Sequence, residues 1–514
     1  MFNKSLRTAL MGSGAAFAMM AGPALAGQAD DLQAQIDSLQ SRLDQLEMQK
    51  KASVDTPQAV APADAVVGGD YPGSFKLPGS DTSMSIHGYM KADFIYDFSA
   101  NLGDTFNFTF APGNKTSGAH QGGNFHFGAR QSRINFETRT PTDWGQLRTF
   151  LEMDFYGLVA NTNNTVGGGG NTSNPMRMRH AYGQLGPVLA GQTWSNFNDL
   201  DDTPEILDFG DHGQNSGGTR QTQVRYTWSG GGWTLSGAIE NPNPRVSAFP
   251  AVGTSLNVAN PLGAPVNDAI ATQDYGNGGT GTGGNANDMP DFTGHVEYAG
   301  TWGDVNLAGV IRHFNANNGF QFGAGSVNTA GGVNGMSAST LAGGIIAGGQ
   351  WKFGQYFGGP FAKDALAATL SYGPGINRYF TTSGPANDAW VVPTNIFGGA
   401  AHGISIKPVT QLGGNAWVQH WWADNVRSTA DFGIYTWSYG GIPFSAGTGA
   451  GSGTQLTQAL VASVNLIWSP VKQVNIGLEF MYGEASKRTA AGVIDPGGSH
   501  GEDSRLMASM QYIF

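Results

Sequence analysis

Residues 82–98 read TSMSIHGYMKADFIYDF, and this stretch decides the fold because the character of its side chains alternates with a period of two. Even positions such as Met84 and Phe94 are apolar, whereas odd positions such as Lys91 and Asp93 are charged. Successive side chains of a β-strand point to opposite faces, so this strand has one apolar face and one charged face. Such a strand fits a position between lipid and water.

The same alternation recurs along the chain up to its last residue. It is present in residues 147–155, 233–240, 460–468 and 474–482, and again in the final segment, which ends on Phe514. A last strand with an aromatic carboxy terminus resembles the assembly signal of outer-membrane barrels. The pattern therefore predicts an all-β transmembrane barrel over residues 82–514.

The connections between these segments alternate between short and long, as the turns and outer loops of a membrane barrel do. Counting residues 415–424 and 426–437 separately gives 17 strands. Because single-chain bacterial barrels have an even number of strands, we merge these two segments and predict 16 antiparallel strands, with 18 as the alternative. Trp144, Trp302 and Trp468 lie at or beside short turns and fit an interfacial girdle.

The composition agrees with a barrel and excludes several classes of function. Charged residues make up 13% of the chain, about half the usual share, and aromatic residues reach 11%, which argues against disorder. There is no cysteine, so disulfides, thiol catalysis and cysteine-ligated metals are excluded. The histidines show no zinc-binding spacing, and a net charge of −11 gives no reason to expect nucleic acid; we predict no metal and no cofactor.

Residues 1–26 are predicted to be a secretory signal peptide. Lys4 and Arg7 precede an apolar stretch, and Ala24-Leu25-Ala26 supplies a small-x-small cleavage site. The alternative, a transmembrane anchor, would need about 20 apolar residues, more than this stretch provides. We therefore expect export to the outer membrane.

Residues 27–52 are predicted to form an α-helical coiled coil, and residues 53–81 a Pro/Ala/Gly-rich tether. The apolar residues of the coil follow a heptad spacing: Leu32, Ile36, Leu39, Leu43 and Leu46. So narrow a seam favours self-association over the alternative, a helix packed on its own domain. Barrels that associate would raise the effective concentration of the coils, so even a short seam would form.

A set of basic residues falls on the predicted inward face of the strands. They are Lys91, Arg133, Arg148, Arg177, Arg179, Arg225, Arg312 and Arg505. A lumen rich in arginine favours anions, which makes these residues candidates for the pore lining. The alternative is that charged residues line any wet lumen and pair with acids such as Glu137, Glu152 or Glu240.

Residues 197–213 form an acidic loop after the predicted fifth strand. Its acidic residues are Asp199, Asp201, Asp202, Glu205, Asp208 and Asp211. The loop also contains Ile206, Leu207 and Phe209, and apolar residues in a loop favour packing over exposure. We therefore predict that it folds into the barrel as a constriction, where its acids would face the basic wall. An exposed acidic loop is the alternative.

These features predict a channel for passive diffusion of small anionic solutes. A general, weakly cation-selective porin is the alternative, given the negative net charge and the acidic loop. A barrel enzyme is not expected, because no inward Ser or Asp lies beside a His at the same depth. A tethering role, with the coil bound to peptidoglycan, is a further hypothesis.

Four motifs resemble one known family. Residues 177–182 (RMRHAY), 191–197 (GQTWSNF), 288–292 (DMPDF) and 373–379 (GPGINRY) look like those of the DcaP-like trimeric outer-membrane porins. The resemblance covers nearly the whole mature chain. It implies a homotrimer of 16-stranded barrels in the outer membrane of a Gram-negative bacterium, with a periplasmic coiled coil. It also implies uptake of dicarboxylates and aromatic carboxylates, and supports the inward loop.

Overall fold

The computed structural model describes most of the chain from Val67 onward. The described residues are 67–106, 122–157, 175–198, 202–209, 219–242, 244, 246–248, 288–316, 337–380, 388–397, 400–442, 454–489 and 500–514. The predicted signal peptide, the coiled coil with its seam residues, and residues 53–66 of the tether lie outside this part of the chain.

Strands dominate the regular structure of the described residues. They are β1 (Ser74–Lys76), β2 (Ser83–Asp97), β3 (Asn124–Gly128), β4 (Arg133–Thr142), β5 (Gly145–Asp154), β6 (Arg177–Leu185), β7 (Val188–Trp194), β8 (Arg220–Gly230), β9 (Trp233–Glu240), β10 (Val246–Ala248), β11 (Asp291–Gly300), β12 (Gly303–Ala316), β13 (Ala338–Trp351), β14 (Ala365–Pro374), β15 (Ala389–Phe397), β16 (Ala400–Pro408), β17 (Thr410–Ala423), β18 (Val426–Ser438), β19 (Thr454–Val471), β20 (Val474–Thr489) and β21 (His500–Ile513). A short helix, α1 (Gly354–Phe357), lies between β13 and β14. Among the described residues, no helix combines the length and the apolar character needed to cross a bilayer.

Sixteen of the strands form one closed antiparallel barrel, which confirms the predicted number over the alternative of 18. Their order is β2-β4-β5-β6-β7-β8-β9-β11-β12-β13-β14-β17-β18-β19-β20-β21. The barrel closes where β2 pairs with β21, with Lys91 opposite Gln511 and Asp97 opposite Arg505. Closure removes the unpaired strand edges that a membrane would not tolerate.

The two faces of the barrel wall differ as the alternation predicts. In β12, the outward side chains of Val305, Leu307 and Ile311 are between 48% and 61% exposed, whereas the inward Asp304 and Arg312 are at most 8% exposed. An apolar outer face suits the hydrocarbon of a bilayer, and polar side chains are retained in the interior.

The predicted short turns are confirmed, but the merging of residues 415–424 and 426–437 is wrong. These segments lie in separate strands, β17 and β18, which pair antiparallel across a tight turn at Asp424-Asn425. Asp and Asn favour turns because their side chains bond to nearby backbone groups.

Two groups of strands lie outside the closed ring. β1 and β3 both pair with β2, and β1 falls within the residues assigned to the tether. The strands β10, β15 and β16 form a separate sheet. The hairpin of β15 and β16 packs against the wall, because Val391 and Ile406 share an apolar cluster with Phe314 of β12 and Ala342 of β13.

Candidate functional site in the barrel interior

The described part of the acidic loop, Asp202–Phe209, lies against the inner face of the barrel and is called here the anchored segment. It follows β7, the fifth strand of the barrel, as predicted. Asp202 accepts a hydrogen bond from Asn306 of β12 at 2.8 Å, and its carbonyl oxygen accepts one from the Trp417 indole of β17 at 2.6 Å. Since β17 is seven strands beyond β7 in the ring, the loop crosses the barrel before it meets the wall.

Glu205 fastens the middle of the anchored segment to β17, β18 and β19. Its carboxylate forms an ion pair with Arg427, whose Nε donates at 2.6 Å, and accepts a hydrogen bond from Gln419 at 2.8 Å. The side chain of Asn465 donates to the backbone oxygen of Glu205 at 2.8 Å. Charge-assisted contacts of this kind are stronger than neutral ones, so they fix the segment in place.

The end of the anchored segment binds β20, β21 and β2. The carboxylate of Glu479 accepts hydrogen bonds from the backbone amides of Leu207 at 2.7 Å and Asp208 at 2.9 Å. Asp208 itself accepts from Arg505 at 2.9 Å, and Lys91 donates to the Leu207 carbonyl at 2.8 Å. The wall leaves room for this contact at Gly477, where an added Cβ would lie 2.8 Å from Leu207.

Phe209 completes the contact between the loop and the wall. Its ring lies under the ammonium of Lys91 at 4.8 Å and under the guanidinium of Arg133 at 5.1 Å, and packs edge-on against Tyr89. The described acids Asp202, Glu205 and Asp208 thus contact β12, β18 and β21. Asp199, Asp201 and Asp211 lie outside the described residues.

Four of the eight candidate basic residues are almost completely enclosed. Lys91 donates to Asp93 and Gln131, each at 2.6 Å. Arg179 contacts Glu152 at 2.7 Å and Asp154 at 2.9 Å, leaving its side chain 7% exposed.

The other two enclosed residues, Arg312 and Arg505, have side chains that are 0% exposed. Arg312 forms ion pairs with Asp291 at 2.9 Å and Asp388 at 3.0 Å. Arg505 pairs with Asp97 at 2.6 Å as well as with Asp208. A buried arginine with two carboxylate partners acts as an anchor, because its donors are already engaged.

The other four candidates, Arg133, Arg148, Arg177 and Arg225, retain access to the interior. Among those of the four that form ion pairs, Arg177 has the most exposed side chain, although two of its nitrogens donate to Asp154 at 2.9 and 2.6 Å. Arg225 forms no ion pair with any described residue, and its Nε has no hydrogen-bond partner there. These four lie on β4, β5, β6 and β8, one continuous part of the wall.

Sequence reasoning missed further arginines of the interior, among them Arg139, Arg220 and Arg427. Arg139 of β4 has the same parity as Arg133 and could have been found from it. Arg220 lies at the start of β8, with its guanidinium 4.7 Å from the Trp194 ring and no described carboxylate within ion-pair distance. Arg427 is the partner of Glu205, and no local pattern reveals that pairing.

Strands β4 to β8 together carry a strongly basic inner surface, called here the arginine wall. Its arginines are Arg133, Arg139, Arg148, Arg177, Arg179, Arg220 and Arg225. The same five strands contain three carboxylates, from Glu137, Glu152 and Asp154, which leaves an excess of four positive charges. One side of the interior therefore carries a concentration of positive charge.

A second connection, between β14 and β17, also packs inward, and sequence reasoning treated its first part as an outer loop. Tyr379 of this connection donates to Asp291 of β11 at 2.7 Å, and its ring packs edge-on against Phe197, which follows β7. Asn198 donates to the Tyr379 carbonyl at 3.0 Å. The two inward connections therefore contact each other as well as the wall.

A closed barrel with an apolar exterior, a charged interior and an inward-folded loop is the architecture of an outer-membrane porin. The chain belongs to the porin family, because the model of the Porin subfamily matches residues 71–505. The match covers most of the chain and nearly the whole barrel.

Individual relatives agree with this assignment. Porin Omp2b of Brucella suis and that of Brucella abortus are each 28% identical over 244 residues, which are 47% of this chain and 54% of the relative. The alignment thus spans about half the length of these relatives. The outer-membrane channel DcaP of Acinetobacter baumannii has a TM-score of 0.58 at 18% identity, covering 87% of this chain and 100% of that one. The family model thus confirms that the chain is a porin, and the likeness to the DcaP channel confirms the fold.

Proposed function

We propose that this porin favours small anionic solutes, in particular dicarboxylates and aromatic carboxylates. The observation that carries the proposal is the arginine wall, with its excess of four positive charges on five adjacent strands. Arginine recognises carboxylates through paired N–H groups, and so offsets the loss of water from the anion as it enters. Diffusion down a gradient needs no chemical step or energy source.

The arginines of the wall are held so that some donors stay available. Arg133 has a side chain that is 22% exposed and lies 3.8 Å from Glu152, beyond hydrogen-bond distance. Its guanidinium is instead stacked over the rings of Tyr89 and Phe209. Stacking fixes the orientation of a guanidinium without using its N–H groups.

Aromatic side chains alternate with the arginines and support passage of aromatic carboxylates. Tyr156 lies under Arg177 at 5.1 Å, Trp194 under Arg220 at 4.7 Å, and Tyr182 under Arg148 at 5.7 Å. An aromatic acid could exchange ring contacts along such a surface while its carboxylate meets successive arginines.

The cation-selective alternative rests on the net charge of −11 and on the acidic loop. The described loop acids weaken it, because Glu205 and Asp208 are paired with Arg427 and Arg505. The reversal potential of the purified porin in a salt gradient across a planar bilayer decides between the two. We expect the sign of reversal potential that a higher permeability for anions than for cations produces. The opposite sign would overturn the proposal.

We also propose that the chain forms a homotrimer with its coiled coil in the periplasm. The support is the heptad seam of Leu32, Ile36, Leu39, Leu43 and Leu46, together with the family resemblance. Deleting residues 27–52 and measuring the oligomer by native electrophoresis tests this. Loss of the trimer is expected. An unchanged trimer with normal conductance would favour a tethering role toward peptidoglycan instead.

A further inference from the structure

Arg139 of β4 and Arg148 of β5 lie directly opposite each other in neighbouring strands. Like charges in this position destabilise a sheet unless something compensates them. Glu137 provides that compensation, since one carboxylate oxygen accepts from Arg139 at 2.6 Å and the other from Arg148 at 2.8 Å. The pair is near the turn between β4 and β5, at the end of the barrel with short turns, which is the periplasmic end.

Aromatic rings hold both guanidinium groups in place. Tyr71, which precedes β1, places its ring 4.2 Å from the guanidinium of Arg139. The hydroxyl of Tyr71 donates to the backbone oxygen of Glu137 at 2.8 Å, so the ring is fixed beneath the pair. Arg148 lies over Phe150 at 5.6 Å and over Tyr182 at 5.7 Å.

The two arginines retain unused hydrogen-bond donors. Each contacts Glu137 through a single nitrogen, although a guanidinium carries five N–H donors. Their side chains are 34% and 33% exposed, and the Nε of Arg148 has no hydrogen-bond partner among the described residues. With Glu137 between them, the group has a net charge of one, which matches one carboxylate.

We propose that Arg139 and Arg148, at the periplasmic end of the arginine wall, form a second anion-binding site, which receives one carboxylate group of a solute leaving the other arginines of the wall above it. The inference rests on the proposed function, because the solute is taken to be anionic. Arg148 is four and six residues from Glu152 and Asp154, which hold Arg179 and Arg177. At about 3.4 Å per residue the two sites are roughly 14–20 Å apart, too far for one small dicarboxylate to span. A solute therefore occupies them in turn.

Arg139→Gln tests the site from each side of a planar bilayer. With potassium succinate at an ionic strength of about 0.1 M, where the Debye length is about 10 Å, we expect the anion current entering from the periplasmic side to fall about two- to threefold. The current from the other side should change little. At about 1 M, where the Debye length is about 3 Å, the difference should disappear. Lys363→Gln is the matched control, because Lys363 is an exposed lysine at the same end, paired with Asp424 outside the interior.

A charge rescue separates electrostatics from structure, because the chain contains no other cysteine. Arg139→Cys should regain its periplasmic entry current when a positively charged methanethiosulfonate is added, and should not regain it with a neutral one. Equal loss from both sides, rescue by the neutral reagent, or an equal effect of Lys363→Gln would each overturn the site. Failure of the proposed function is distinguishable, since it would reverse the selectivity of the unmodified porin.

Discussion

The arginine wall and the rest of the barrel use the same residue type in different ways. On β12, β18 and β21, Arg312, Arg427 and Arg505 have side chains that are at most 9% exposed, and each pairs with carboxylates. On β4 and β6, Arg133 and Arg177 keep 22% and 40% exposure. Inward parity therefore places an arginine in the interior, but its ion-pair partners determine whether the side chain is buried as an anchor or remains accessible from the interior.

The two sides also differ in the height of the wall. The strands β5 to β9 contain 7 to 11 residues, whereas β17 to β21 contain 13 to 18. The anchored segment leaves the short side and binds the tall side. The anchored segment thereby engages Arg427 and Arg505 of the tall side, whereas Arg148 and Arg177 of the short side stay 33% and 40% exposed.

Among the changes that test this difference, Arg505→Met should have the largest effect on stability. It leaves Asp97 and Asp208 buried without their arginine, and uncompensated buried charges cost about 3–5 kcal/mol of unfolding free energy. Urea unfolding of the porin in lipid vesicles, followed by tryptophan fluorescence, measures the loss. Arg225→Met on the arginine wall is the control and should lose less than about 1 kcal/mol. Equal losses would show that the two classes of arginine do not differ.

Glu479→Gln should loosen the anchored segment without removing volume. The two carboxylate oxygens of Glu479 each accept one backbone N–H, whereas a glutamine has a single, uncharged oxygen and an NH2 group that cannot accept. We therefore expect docking to weaken by about 1–3 kcal/mol. Single-channel recordings should then show added current noise as the segment undocks. Glu502→Gln, an exposed position on β21, should leave the noise unchanged. A quiet channel in Glu479→Gln would mean that the segment is held by its other contacts alone.

Changing Arg133, Arg148 and Arg177 together to Gln should alter selectivity with the smallest effect on stability. The three guanidinium groups are 22% to 40% exposed, and the buried Asp154 keeps Arg179 as a partner when Arg177 is changed, so the barrel should still fold. The ratio of anion to cation permeability, measured by reversal potential, should fall roughly three- to tenfold, because about 1.4 kcal/mol corresponds to a factor of ten. Lys352→Gln with Lys363→Gln, outside the barrel interior, should not change the ratio.

Much of the fold could be predicted because alternation and turn chemistry are local signals. The face of nearly every strand residue in β2, β12 and β21 follows from parity, and one of the short turns, at Leu185–Val188, lies between β6 and β7. Parity continues through residues 415–437, so it gives no sign of the β17–β18 turn. The rule that such barrels have an even number of strands led to the merging of the two segments, although Asp424-Asn425 is a local turn signal between them.

The site was less predictable, because its contacts join distant parts of the chain. The inward loop was suggested by Ile206, Leu207 and Phe209 within an acidic stretch, but nothing near Glu205 points to Arg427, 222 residues away. Arg312 and Arg133 look alike in sequence, since both lie on the polar face of an alternating strand. Their difference arises from Asp388, which belongs to a connection whose inward packing leaves no periodic signal.

The position of the anchored segment has a consequence for the order of assembly. Leu207, Asp208 and Phe209 bind residues of β20, β21, β2 and β4, so this end of the segment lies across the seam where the first and last strands meet. Arg505 and Asp97, 408 residues apart, become neighbours only once that seam has formed. In an open sheet the residues that bind this end of the loop are therefore far apart. Residues 207–209 can dock completely only after the ring has closed, and the docked loop then bridges the first and last strands.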